Sequence, residues 1–240
     1  MARAIYHLRN IEKHYDREWM LKIPELDVFE GEIFCIVGPN GSGKSTLLRL
    51  LHFLEEVDRG EIVYQGQKIM YPVPLSVRRD ITMVFQKPIM FTGSVRQNMS
   101  FGVALQSKVN SEEIDELMTQ LDSSHLSEAS AKSLSGGEVQ RVALGRALAL
   151  KTGVLLLDEP VANLDPNNIA LIETIIKQIQ ENNRTTIVLV THNIAQAKRL
   201  ADRVAFLLDG QLVEVSQVAD FFRKPSDSRL KAYIQNELTF

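Results

Sequence analysis

Nine consecutive residues set the strongest limit on what this chain can fold into: Gly38-Pro39-Asn40-Gly41-Ser42-Gly43-Lys44-Ser45-Thr46. They follow a short β-branched and aromatic stretch, Ile33–Val37, and lead into a leucine-dense one at residues 46–54. A buried strand that turns through glycines into a helix is the setting in which such a loop holds phosphate. Glycines let successive backbone N–H groups curl round an anion with no Cβ in the way. The helix that follows aims its positive N-terminal end at the same anion. Lys44 adds a full charge for the β and γ phosphates, and the Ser45 hydroxyl is placed to ligate magnesium. Ordinary composition makes the four fixed positions of this pattern coincide in about one chain of this length per hundred. The flanking strand and helix remove most of those chance matches, and the residues point to nucleotide binding.

The rest of the chain supplies more of the same architecture. Apolar runs at 81–85, 154–157 and 186–190 read as further buried strands. Between the last two, Ile169, Ile172, Ile175, Ile176 and Ile179 recur at helical spacing, so strand, helix and strand form a parallel βαβ unit. Residues 59–69 read as two short antiparallel strands around Gln65-Gly66. Residues 203–208 and 211–215, joined by Asp209-Gly210, read as a hairpin. From 87 to about 150 no strand pattern is visible, and Ile114, Leu117, Met118 and Leu121 mark an amphipathic helix. We read that stretch as a helical sub-lobe inserted between two strands of the sheet. The tail from Asp220 is charged and aromatic and takes no role from its sequence.

Val154-Leu155-Leu156-Leu157-Asp158-Glu159 is an apolar strand that ends in two acids. Asp158 can hold the magnesium water shell beside Ser45. Glu159 faces another way, because alternate strand residues point to opposite sides, and could polarise an attacking water as general base. Two such acids on their own often do no more than end a strand; behind a phosphate loop they fit a catalytic edge. His192 ends another strand and reaches the same carboxyl edge, where it could hydrogen-bond a γ-phosphate oxygen. The other four histidines, at 7, 14, 52 and 125, have no such context.

Composition excludes several classes. Of 240 residues, 27 are basic and 30 acidic, a net charge of -3 that implies no dominant nucleic-acid surface. The single cysteine, Cys35, permits no internal disulfide and suits a reducing compartment. The N-terminus lacks the apolar core of a signal peptide. The longest apolar runs hold five residues, as in Ile33–Val37. A spanning helix needs about 20, so the chain is expected to be soluble or peripheral. Its length suits one domain spanning residues 1–240, with the sub-lobe inside it.

Leu134-Ser135-Gly136-Gly137-Glu138-Val139-Gln140-Arg141 is a second glycine pair opening a helix, hence a second anion site. Two phosphate cradles with one phosphate loop suggest that the second serves a neighbouring molecule. This octapeptide resembles the signature motif of the ATP-binding cassette (ABC) family. The resemblance spans nearly the whole chain: residues 38–46, Gln86, residues 134–141, the acids at 158 and 159, Asn163-Leu164-Asp165, and His192 occur in the family's order. It implies an α/β P-loop NTPase of RecA-like kind, with a mainly parallel sheet, an antiparallel β subdomain and an inserted α-helical subdomain. Gln86 would be the glutamine that touches magnesium and senses a membrane partner, with Ser45 and Asp158 as the other metal-binding residues. Ser135, Gly136 and Gly137 would bind the γ-phosphate held by a second copy, Asp165 would lie at the dimer seam, and His192 would be the switch histidine. Tyr15 is the adenine-stacking candidate, with Tyr6 and Trp19 as alternatives. Val161 stands where threonine is common and Asn163 where alanine is common; neither removes a catalytic group, so an active ATPase using ATP and Mg2+ is implied.

Three functions follow from the resemblance. One is the energising subunit of a membrane transporter, peripheral on the inner face of the cell membrane through separate permease subunits, with a solute-binding protein in the full system. Another is a soluble ATPase of the same family acting on DNA or ribosomes, disfavoured by the short chain and negative charge. The third is a nucleotide switch that does not hydrolyse, disfavoured by the presence of Glu159 and His192. Residues 84–91, Val-Phe-Gln-Lys-Pro-Ile-Met-Phe, with Thr92-Gly93-Ser94-Val95-Arg96-Gln97-Asn98, resemble importers of tungstate, molybdate and phosphate. An oxyanion importer is therefore the reading for cargo, ahead of an amino-acid importer or an exporter.

Overall fold

The computed structural model describes residues 3–15, 20–106 and 108–237. In chain order the elements are β1 (Ala4–His14), β2 (Met20–Phe29), β3 (Ile33–Val37), α1 (Lys44–Leu51), β4 (Arg59–Tyr64), β5 (Gln67–Lys68), α2 (Leu75–Arg79) and β6 (Ile81–Val84). Then come α3 (Val95–Ala104), α4 (Ser111–Gln120), α5 (Gly136–Leu148), β7 (Val154–Asp158) and α6 (Pro166–Asn183). The chain continues through β8 (Thr186–Thr191), α7 (Ile194–Leu200), β9 (Arg203–Leu208), β10 (Gln211–Gln217), α8 (Val218–Arg223) and α9 (Ser228–Glu237).

Among the described residues all ten strands lie in one sheet, ordered β5-β4-β1-β2-β10-β9-β3-β8-β7-β6. From β9 to β6 every pairing is parallel. The other end is antiparallel, apart from a single parallel contact between Gln211 and Lys22 that joins the two regions. The antiparallel part is thus an extension of the main sheet. Strands buried on both sides need apolar residues at every position, and β3, β7 and β8 are buried throughout. Their side chains alternate between two cores. Cys35, Leu155 and Leu189 face a core with α3 to α9, while Ile36, Leu156 and Val188 face one with α1, β1, β2 and β4.

The sequence missed the two longest strands, β1 and β2. A bulge is the reason in β1: the register shifts between Arg9 and Glu12, with Asn10 at φ 50°. Leu8 and Ile11 are both buried three residues apart, which breaks the two-residue period. In β2 the buried positions Leu21, Ile23, Leu26 and Val28 change phase just after Pro24. The β9–β10 hairpin turns at Asp209 and Gly210, both at positive φ as a tight turn of this kind requires. Between β6 and β7 the chain runs through α3, α4 and α5, after which β7 pairs directly with β6. The tail packs back on the sheet: Tyr233 of α9 stacks on Phe206 of β9 at 5.0 Å.

Candidate functional site

Strand register brings the site together. Val37 lies opposite Thr191, Asp158 opposite Val190 and Val84 opposite Leu157. Gly38, His192, Glu159 and Gln86 therefore emerge within two residues of one another's strand ends, along the carboxyl edge of the parallel sheet. That edge is where open α/β sheets bind ligands.

The loop at 38–46 is tightly constrained. Gly38, at φ 156°, has no room for a side chain: a Cβ there would sit 2.0 Å from the carbonyl oxygen of Leu207. Gly43 precedes α1 at φ 100°, a conformation that favours glycine. Lys44, buried in the first turn of α1, donates from Nζ to the carbonyls of Gly38 and Pro39, both at 2.9 Å. Burial pushes its ammonium below the usual lysine range, while Glu159 and Asp158 draw it back up. The buried hydroxyl of Ser42 has no hydrogen-bond partner among the described residues. Asn40, Gly41, Thr46 and Gln86 help line a cavity of about 370 Å³ over this loop.

Glu159 lines the cavity, and Asp158 lies beside it against Ser45. Ser45 Oγ donates to Asp158 Oδ1 at 3.0 Å. Burial pushes the Asp158 carboxyl above the usual range; the Ser45 hydrogen bond opposes this and neighbouring Glu159 adds to it. Glu159 steps out of the strand at φ 47°, although its N–H still donates to the Val190 carbonyl at 2.9 Å. That turn aims its carboxylate at two groups: Gln86 Nε2 donates to Oε2 at 2.9 Å, and His192 Nδ1 lies 3.1 Å from Oε1. Glu159 is largely covered and His192 half-exposed. Behind them, Tyr233 of α9 donates to the His192 carbonyl at 3.2 Å.

The second glycine cradle opens α5. Ser135 and Gly136 are exposed and Gly137 is buried. Glu138 Oε2 accepts from both the N–H and the hydroxyl of Ser135, each at 2.7 Å, which holds the Glu138 carboxyl below its usual range. Asp165 caps α6, accepting from the N–H groups of Asn167 at 3.0 Å and Asn168 at 3.2 Å.

The family model for ABC transporter matches residues 21–162. The chain belongs to the ABC transporter family. It is an ATP-binding cassette and an ATPase. One relative is the phosphate import ATP-binding protein PstB 2 of Natronomonas pharaonis, 37% identical over 94% of this chain and 84% of that one. Another is the tungstate uptake system ATP-binding protein TupC of Peptoclostridium acidaminophilum, 39% identical over 85% of this chain and 95% of that one. Among solved structures, the dimeric bacterial ABC transporter cassette MJ0796 superposes with a TM-score of 0.78 at 30% identity, over 89% of this chain and 98% of that one.

Of the aromatic candidates in the cassette, Tyr6 is excluded as an adenine platform. It is wholly buried, donates to the Leu51 carbonyl at 3.0 Å and packs 4.9 Å from the Tyr64 ring. Trp19 lies outside the described residues. Tyr15 is exposed near α1, its hydroxyl hydrogen-bonded to Glu55 and 3.4 Å from Arg49 Nη2. Beside Gln86 runs an apolar groove of about 760 Å³, lined by Phe85, Ile89, Phe91, Phe101 and Leu150, with Arg146 over the Phe91 ring at 5.0 Å. Among the described residues no helix is long and apolar enough to cross a membrane. Asn168, which links the cradle helix to Asp165, was invisible in the sequence: a lone asparagine in a helix's first turn carries no motif.

Proposed function

We propose that this cassette is the ATP-hydrolysing subunit of an importer of a small oxyanion of the tungstate or phosphate kind. One observation carries the hydrolytic part: Gln86, Glu159 and His192 converge beside the Ser45–Asp158 pair. The cargo class is supported by relatives that match nearly the whole chain and are named for phosphate and tungstate uptake.

In this reading Lys44 exchanges the carbonyls of Gly38 and Pro39 for the β and γ phosphates, and the N–H groups around 41–46 cradle the same anion. The Ser45 hydroxyl and Asp158 carboxylate are hard oxygen donors within 3.0 Å of each other, and they fit Mg2+. The Gln86 amide oxygen completes that set. Bound there, Mg2+ would neutralise charge on the transferring phosphates. Glu159 takes the proton of the attacking water, and its orientation is fixed from both sides by Gln86 and His192. His192 also hydrogen-bonds the γ-phosphate. Tyr15 stacks on adenine.

Two copies work head to tail. Ser135, Gly136 and Gly137 of one meet the γ-phosphate held by residues 38–46 of the other, and Asp165 lies at the seam. A two-fold pair fills both cradles at once. The groove beside Gln86 receives an apolar helical segment of a separate permease, which holds the cassette at the inner face of the membrane. A solute-binding protein delivers cargo on the other side. The test is reconstitution in proteoliposomes with its permease subunits, measuring uptake of tungstate, molybdate, phosphate and an amino acid. ATP-driven uptake of an oxyanion is expected; uptake of the amino acid alone would overturn the cargo reading.

A further inference from the structure

The first turns of α5 and α6 lie side by side, and one side chain fills the space between them. Asn168 sits three residues past the Asp165 cap. Arg141 of α5, which is buried, donates from Nη1 to Asn168 Oδ1. Asn168 Nδ2 in turn donates to Asp165 Oδ2 at 2.5 Å. The Asp165 carboxyl is held below its usual range chiefly by that bond. The same amide lies over Gly137, where a Cβ would come within 2.8 Å of its carbon and nitrogen. Gly137 therefore has a packing reason to be glycine in addition to any phosphate contact. One amide spends its acceptor on the cradle helix, its donor on the Asp165 cap and its face on the cradle glycine. A planar group used on three sides fixes the relative position of what it touches, and couplings of this kind are non-additive.

We propose that Asn168 is a positioning residue that ties the second phosphate cradle, residues 135–137, to Asp165, so that both present to the partner copy as one rigid unit. This rests on the head-to-tail pairing proposed above. Arg141 Nη1 donates to the Asn168 oxygen, while its buried Nε has no partner among the described residues, so this buried guanidinium can ill spare that acceptor. Asn168→Ala removes that acceptor and can weaken the fold for that reason alone. Asn168→Asp separates the two roles. It keeps an acceptor for Arg141, now charged, but replaces the donor to Asp165 with a second carboxylate facing the first.

The experiment places each substitution in a Glu159→Gln background and measures ATP binding by the single chain and ATP-driven dimerisation by analytical ultracentrifugation. Asn168→Asp is expected to bind ATP as the background does, yet to dimerise about tenfold more weakly. In the otherwise native chain it should lower kcat with KM for ATP unchanged. A dimer within about twofold of the background would overturn the proposal alone. Loss of ATP binding in both Asn168 variants would make the residue merely structural and also overturn it. Absence of an ATP-driven dimer in Glu159→Gln itself would bring down the head-to-tail reading, and the proposal with it.

Discussion

Replacing Asp158 with asparagine should stabilise the ligand-free chain while removing the magnesium-dependent turnover proposed above. Asp158 closes β7, is 7% exposed and accepts from Ser45 Oγ at 3.0 Å. Its carboxyl is pushed up by burial and by Glu159; the Ser45 bond, Arg49 and Lys44 oppose the shift without cancelling it. A folded-state pKa above the unfolded one means that folding disfavours the ionised form. The associated stability is fully present below the unfolded value of about 3.9 and is lost as pH rises through the folded value. At neutral pH the carboxylate is therefore a net cost to the fold. Asparagine has the same shape, still accepts from Ser45 and carries no charge. Relieving a strained functional group commonly gains about 0.5–2 kcal/mol. Lys44 trims that gain, because Asp158 is one of the two carboxylates that support its charge. A gain of about 1 kcal/mol is expected, which raises Tm by roughly 2–4 °C in a chain of this size. Unfolding of parent and variant without nucleotide or divalent cation checks it, with a difference small near about pH 4 and growing towards neutrality. Phosphate release should show no magnesium-dependent turnover. A variant less stable than the parent at about pH 7.5 would refute the reasoning, since the buried carboxylate would then be stabilising.

Three further outcomes are expected. Glu159→Gln should cut phosphate release by about 100- to 10,000-fold yet leave ATP bound in a closed dimer on size-exclusion chromatography; parent-like turnover would sink the general-base role. Lys44→Ala should weaken ATP binding by about 10- to 100-fold, the usual size of a lost charge-assisted hydrogen bond, and an unchanged titration would end the phosphate-loop reading. Ser135→Arg, assayed with the membrane partner present, should abolish activity, and full activity would show that the second cradle touches no phosphate.

The two glycine-bearing loops were legible in the sequence because each is a short contiguous run. Residues 38–46 and 134–141 run into helices α1 and α5, and their glycine conformations are fixed over a few residues. The parallel strands were legible because burial on both faces demands unbroken apolar runs such as residues 154–157. β1 and β2 were not, because the bulge at Asn10 and the change of phase after Pro24 erase the alternation that would have announced them. Contacts across the fold were equally hidden. Nothing in one dimension says that Gln86 and His192 grip the same carboxylate from two strands, or that Tyr233, 41 residues on, reaches the His192 carbonyl. These follow from register, which the motifs share but do not spell out.

The eight residues from Asp158, the last of β7, to Asp165, the cap of α6, carry three acids to three destinations, and the backbone does the steering. Asp158 stays in the strand and turns inward to Ser45. Glu159, at φ 47°, leaves it and faces Gln86 and His192. Two turns follow, with Ala162 N–H donating to the Glu159 carbonyl at 3.1 Å and Leu164 N–H to Val161 at 3.3 Å. Asn163, at φ 62°, reverses the chain again so that Asp165 caps α6 at the surface. The left-handed conformation costs an ordinary L-residue about 1–2 kcal/mol, and asparagine bears it better than other side chains. This gives the asparagine at position 163 a physical reason: it lowers the cost of the second reversal. Asn163→Ala should therefore destabilise the chain by about 1 kcal/mol, or roughly 2–4 °C in Tm, and Asn163→Gly should match or exceed the parent. Thermal unfolding of the three chains decides it. An alanine variant as stable as the parent would mean that the left-handed turn is held by its surroundings, and that the asparagine contributes nothing to it.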